Sequence, residues 1–169
     1  IYPLSLAWME DNWYVVGAPP DNQQLLGAQL TAVEETPIAG VYATVAPLVA
    51  ADNEMQRVTG SATLLVTAEV LAALRLVENP EAARFTFMLA NGEIMDATLS
   101  PVATNAVQLV GLQPDPPLTE TPLALQNPDQ WYWYKTLPAE DALYFQYDVC
   151  DNMEGLPFED FDADLVATV

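Results

Sequence analysis

Apolar and polar positions alternate loosely from Tyr2 to Met9 and more regularly from Trp13 to Gly17, where the run WYVVG is rich in β-formers. This alternation predicts two strands separated by a turn at Glu10-Asp11-Asn12. Pro19-Pro20-Asp21-Asn22 reads as a loop. Leu30 and Val33 mark the buried positions of a third short strand, and Glu34-Glu35 the turn after it. Thr36-Pro37 then carries a helix-start signature, with Thr as N-cap and Pro at the first helical position. Val41, Val45, Leu48 and Val49 recur at helical spacing, and Pro47 predicts a kink or an end nearby. Asp52 or Asn53 caps a second helix through about Leu65, interrupted by Gly60. Thr67 caps a third helix, whose stripe is Val70, Leu71, Leu74 and Val77 and whose stop is Asn79-Pro80.

The second half changes character. Arg84 to Leu89 and Glu93 to Leu99 flank Asn91-Gly92, a strong short hairpin signal, with Phe85, Phe87 and Leu89 on one face. Residues 113–129 hold Pro114, Pro116, Pro117, Pro122 and Pro128, which predicts an extended connector poor in hydrogen bonds. Trp131 to Cys150 is a pair of aromatic runs about a turn at Pro138, Glu140 and Asp141. Leu143, Phe145, Tyr147 and Val149 share one face, while Tyr144, Gln146, Asp148 and Cys150 share the other, so both faces are expected to be partly covered. The seven aromatics from Trp131 to Tyr147 are the largest local hydrophobic resource, and a core is expected around them. Phe158, Phe161, Leu165 and Val166 give a C-terminal helical stripe, with Glu159 and Asp160 in the first turn where the helix dipole favours acids. The fold class this predicts is α+β: a module over residues 1–112, a connector over 113–129, and an aromatic hairpin with a helix over 130–169.

A chain of 169 residues with 51% hydrophobic content supports a real core and argues against disorder. No apolar run is long enough to span a bilayer. The net charge of −20, from 24 acids and four bases, disfavours nucleic acid and anionic lipid as partners. Moderate salt is therefore expected to raise the melting temperature by screening self-repulsion. An unchanged value between low and moderate salt would contradict this. Cys150 is the single cysteine, so no intrachain disulfide forms, and its expected role is a small hydrophobe in a strand. A start at Ile1 without a leader reads as a mature product or an excised fragment.

Several chemistries are excluded by what the chain lacks. Without histidine no Ser-His-Asp or Cys-His arrangement can form, and zinc and iron sites lose their usual ligands. No phosphate-binding glycine loop is present. A Ser-Lys dyad would need Lys135 with Ser5, Ser61 or Ser100, but Lys135 reads as a solvated charge at the rim of the hairpin. Asp160, Asp162 and Asp164 have the DxDxD spacing of a calcium loop, but Leu165 stands where the required glycine belongs. These acids read as a solvated helix face. No catalytic residue, metal or cofactor is assigned.

Gly27-Ala28-Gln29-Leu30-Thr31-Ala32-Val33-Glu34-Glu35-Thr36-Pro37-Ile38 resembles the PDZ-type sequence in which a strand crosses into a helix. The helix beginning at Thr67, the hairpin at Asn91-Gly92 and the stretch QWYWYKTLPAEDALYFQYDVCDN follow in an order similar to the N-terminal region of tail-specific, or C-terminal processing, serine proteases. Tyr132-Trp133-Tyr134, Leu137-Pro138, Leu143-Tyr144, Gln146-Tyr147 and Asp151 match that pattern, and Asp148 stands where it has Asn. The likeness covers nearly the whole chain. It implies a PDZ-like module leading into the start of a crotonase-like core. It also implies that the nucleophilic Ser and its Lys base lie beyond Val169, and that the setting is extracellular or periplasmic. No GLG-type carboxylate-binding loop is visible, since Gly17-Ala18-Pro19-Pro20 lacks the backbone N–H groups such a loop needs.

The expected function is a non-catalytic region of a serine peptidase-like protein that positions or regulates a peptide or protein substrate. A stand-alone peptide-binding module is the first alternative, taking a strand at Trp13, Tyr14, Val15, Val16 and Gly17 beside the helix bearing Val41 and Val45. An acidic structural or adhesive domain, stabilised by calcium, is the second.

Overall fold

Glu10 and Asp11 both take positive φ, 49° and 61°, and so make the two-residue turn that matches strand twist. The turn joins β1 (Ser5–Met9) to β2 (Asn12–Ala18), with Trp8 paired to Trp13 and Met9 to Asn12. In this computed structural model, residues 1–113 and 119–168 are described. The chain is α+β and divides into two compact units, Ile1–Gln113 and Pro114–Val169.

In the first unit β3 (Gln29–Val33) is followed by the two-residue strand β4 (Thr36–Pro37) and helix α1 (Ile38–Val45). Thr36 and Pro37 therefore do not start the helix as their signature suggests. They pair with Val33 and Ala32, so strand pairing overrides the local capping preference, and α1 has no side-chain cap. A single 3-10 turn at Ala46–Leu48 ends the helix at Pro47 and leaves Leu48 exposed, outside the buried stripe of Val41 and Val45. The loop expected at Pro19-Pro20-Asp21-Asn22 runs into 3-10 turns over Pro20–Leu25 that bury Leu25.

Helix α2 (Glu54–Leu64) is capped by Asn53, whose side chain accepts from the Gln56 N–H at 2.8 Å. It runs through Gly60 without interruption, and the glycine is there for closeness: a Cβ at this position would lie 2.7 Å from Val49 Cγ1. Gly60→Ala is expected to destabilise the protein by about 1–3 kcal/mol through overpacking, despite the helical preference for alanine of about 1 kcal/mol. A denaturation midpoint at or above that of the parent would show that Val49 moves aside at little cost. Helix α3 (Ala68–Ala73) follows Thr67, whose hydroxyl donates back to Thr63 O and does not cap.

β5 (Ala83–Met88) and β6 (Ile94–Leu99) form the hairpin expected at Asn91-Gly92, with Gly92 at φ 84°. The sheet order is β1-β2-β3-β5-β6, all antiparallel, and β7 (Val110–Gly111) pairs with the far end of β2. The core of this unit lies between sheet and helices. Trp13, Val15, Leu30, Val33, Val41, Val45, Leu71, Phe85 and Phe87 are all buried there.

In the second unit β8 (Tyr132–Leu137) and β9 (Ala142–Tyr147) pair in register, Tyr132 with Tyr147 and Leu137 with Ala142. Helix α4 (Phe158–Thr168) carries the expected stripe. Of the connector, Pro114, Pro116 and Pro117 lie outside the described residues, and Pro122 precedes a 3-10 turn at Leu123–Leu125. The aromatic hairpin is less covered than its composition suggests. Tyr132 and Trp133 are buried, but Phe145 and Tyr147 are each 42% exposed, and the larger core belongs to the first unit. Cys150 falls beyond β9 and is exposed, not a buried strand residue.

Candidate functional site

The first strand is an open edge. The two-residue turn makes Met9 and Asn12 a hydrogen-bonded pair, and alternation then directs Ala7 toward β2. Leu6 and Trp8 consequently turn their N–H and C=O groups to the open side of β1. The far strand agrees: Val15, opposite Leu6, spends its backbone groups on β2's other neighbour, donating to Ala28 O at 2.9 Å and accepting from Gly27 N at 2.8 Å. Among the described residues, β2 is the only strand that β1 pairs with.

Helix α2 packs alongside this edge. A cleft of about 240 Å³ lies here, with Leu4, Ser5 and Leu6 on the strand side and Ala62, Thr63 and Val66 on the helix side. Ile1 also lines it, and hydrogen bonds hold the first two residues in place. The terminal ammonium of Ile1 donates to Val102 O at 2.7 Å, and Tyr2 N donates to Val66 O at 2.8 Å. The Tyr2 ring is fully buried and its hydroxyl donates to Pro80 O at 2.9 Å. Burial, followed by the nearby charges of Glu34, Glu81 and Glu69, pushes the Tyr2 phenol up to about 12. The folded protein then holds this proton at pH values where the unfolded chain, with an ordinary phenol near 10, has released it. Stability contributed by the neutral phenol is complete below pH about 10 and is lost as pH rises from there toward 12. Tyr2→Phe is expected to flatten that alkaline decline in thermal melts, and an equally steep decline in the variant would assign it elsewhere.

A second cleft, of about 180 Å³, opens at the turn end of the same strand. Trp8, Trp13 and Tyr42 supply its aromatic walls, Ile38 and Ala39 its aliphatic side, and Asp11 and Asn12 its rim. Trp8 and Trp13 meet edge to face at 5.0 Å because they are directly opposed on one face of the hairpin. Trp8 and Tyr42 stack at 6.5 Å with 24° between planes. The Tyr42 hydroxyl donates to Glu54 Oε1 at 2.7 Å. Partial loss of water around it, then the bond and charge of Glu54, raise the Tyr42 phenol above its ordinary value.

No protein-family model, curated protein or solved structure matches this chain. The site therefore stands on its geometry.

That geometry relocates the peptide-binding residues expected from sequence. Trp13, Tyr14, Val15, Val16 and Gly17 lie on β2, which is paired on both sides: with β1 along its length, with β3 at Tyr14 and Gln29, and with β7 at Gly17 and Gly111. Leu112 N also takes Val16 O at 2.8 Å. An incoming strand finds no free ladder there. Val41 and Val45 are fully buried in the core and line neither cleft. Of the expected set, only Trp13 lines either cleft. Trp8, Tyr42 and Leu6 were not singled out, although Trp8 falls opposite Trp13 once a two-residue turn is drawn.

Ser61 is buried in α2 with its hydroxyl donating to Arg57 O at 2.8 Å, and Lys135 is exposed on β8. Among the described residues no three of Cys, Asp and Glu converge to hold a metal ion, and Asp164 accepts a 2.6 Å hydrogen bond from the Tyr134 hydroxyl. No helix among them is long and apolar enough to cross a membrane.

Proposed function

We propose that this chain is a non-catalytic module of a serine peptidase-like protein that holds an extended peptide as an added strand on β1. The open ladder of Leu6 and Trp8 beside α2 carries this reading. Main-chain hydrogen bonds to such an edge supply affinity in any sequence, and side-chain clefts along it supply selection. Among the described residues no helix packs against the opposite edge, β6, as α2 does against β1, and Asp96 places a charge on β6. The resemblance of the strand-to-helix stretch and of the aromatic hairpin to tail-specific proteases supports the peptidase context. The same resemblance supports an extracellular or periplasmic setting.

The test is a titration of the whole chain with short extended peptides, followed by amide chemical shifts. Perturbations centred on Leu6 and Trp8 are expected. A peptide methylated on the backbone nitrogens that face β1 should bind about tenfold more weakly per lost bond at the upper end of hydrogen-bond strength. Equal binding of the methylated peptide would rule out strand addition. Peptide hydrolysis by the purified chain, abolished by Lys135→Ala, would overturn the non-catalytic assignment.

A further inference from the structure

We infer that the site selects a peptide bearing a basic side chain two residues from an apolar one, the basic group seated in the cleft at Trp8. This rests on the strand-addition reading and adds the class of sequence recognised. In an added strand, the residue opposite Trp8 projects its side chain to the same face as Trp8, and the next residue on that face lies two positions along, opposite Leu6. Leu6 lines the first cleft and Trp8 the second.

Their chemistry differs. At Leu6 the walls are Leu4, Ala62 and Val66, which suit an aliphatic side chain. At Trp8 the wall is aromatic, with Ile38 and Ala39 able to take the methylene stem of lysine or arginine and the ring of Trp8 able to take its charged head. Asp11 stands at the rim of that cleft, and among the described residues no basic one lines it. Glu54, which accepts from Tyr42, is already paired with Arg57 at 3.6 Å, so the uncompensated lining charge is that of Asp11. An acidic side chain would face this carboxylate inside a chain of net charge −20.

The experiment compares two capped alanine-based heptapeptides carrying Lys and Leu two residues apart, one in each order, by calorimetry and amide shifts. Each is matched to versions with norleucine or glutamate in place of lysine. The lysine peptide in the productive order is expected to bind about tenfold more tightly than its norleucine form, and the glutamate form more weakly still. Asp11→Asn should cut the preference for lysine over norleucine about threefold. Asn suits the positive φ at this exposed position, so the fold is retained. Equal binding of lysine and norleucine forms, with shifts still centred on Leu6 and Trp8, would overturn the inference and leave strand addition intact. No binding by any peptide would overturn both. A lysine preference that Asp11→Asn leaves unchanged and about 0.5 M salt erases would belong to the diffuse acidic surface, and would also overturn it.

Discussion

Phe85→Ala is expected to destabilise the first unit by about 3–5 kcal/mol, the range for removing a buried aromatic ring. Phe85 is fully buried on β5, which lies inside the sheet, and its neighbours across the ladder are Val33 on β3 and Ala97 on β6. Its ring meets Tyr2 edge to face at 5.0 Å and stacks with Phe87 at 6.4 Å. Two of these neighbours cannot easily close a cavity. Tyr2 is held by its hydrogen bonds to Pro80 and Val66, and Val33 by ladder pairing on both sides. Domains of this size are stable by roughly 5–15 kcal/mol, so the variant keeps a native state but a marginal one. The check is the denaturant midpoint at unchanged slope. Phe85→Leu, which conserves most of the volume, should cost less than about half as much. A loss below about 1 kcal/mol for the alanine variant would mean that the site collapses around it.

Much of this architecture was legible in the chain because it is local. The alternation from Trp13 to Gly17, the Asn91-Gly92 turn and the Asn53 cap each specify structure within a few residues, and each element formed where expected. Failures came where pairing or packing with another segment decides. Thr36-Pro37 has the composition of a helix start, yet the backbone of Ala32 and Val33 claims it as a strand. The aromatic run from Trp131 to Tyr147 promises a core, but aromatic content does not reveal what covers a hairpin, and Phe145 and Tyr147 remain half exposed. The expected strand-accepting edge at Trp13 to Gly17 was misplaced for the same reason. A strand signal is equally strong in an inner strand and in an edge strand. That β2 is inner follows from where β3 and β7 land, which no local pattern encodes. Val41 and Val45 show the companion error, since helical periodicity finds the face turned inward, and that face is the core and not a groove. Trp8 carries no pattern signal because its strand alternates weakly. Its place in the aromatic cleft emerges only from the register that sets it against Trp13.

Phe161→Ala is expected to release α4 from the aromatic hairpin. Among the described residues of the second unit only Tyr132, Trp133 and Phe161 are buried hydrophobics, so this ring is a large share of a small core. It lies 4.8 Å from the ring of Tyr132 and 5.8 Å from those of Tyr134, Phe145 and Phe158. The remaining ties are thinner. Tyr134 donates to Asp164 Oδ2 at 2.6 Å at an exposed position, and the Tyr132 hydroxyl donates to Leu156 O. Glu159 and Asp160 favour the helix start, but Asp162 and Asp164 follow in a helix with no basic residue to offset them. Eleven residues are too few to hold a helix in water without packing, so loss of the ring should melt α4 and not merely loosen it. Removing a buried phenylalanine costs about 3–5 kcal/mol, and here that loss falls on a core of three side chains. Hydrogen exchange over residues 158–168 reads it directly: protection should vanish in Phe161→Ala, fall partly in the half-buried Phe158→Ala, and persist in Val166→Ala, whose side chain is 68% exposed. Persistent protection in Phe161→Ala would mean that the acidic helix is held by contacts other than the aromatic cluster, and the hairpin would lose its place as the surface on which α4 forms.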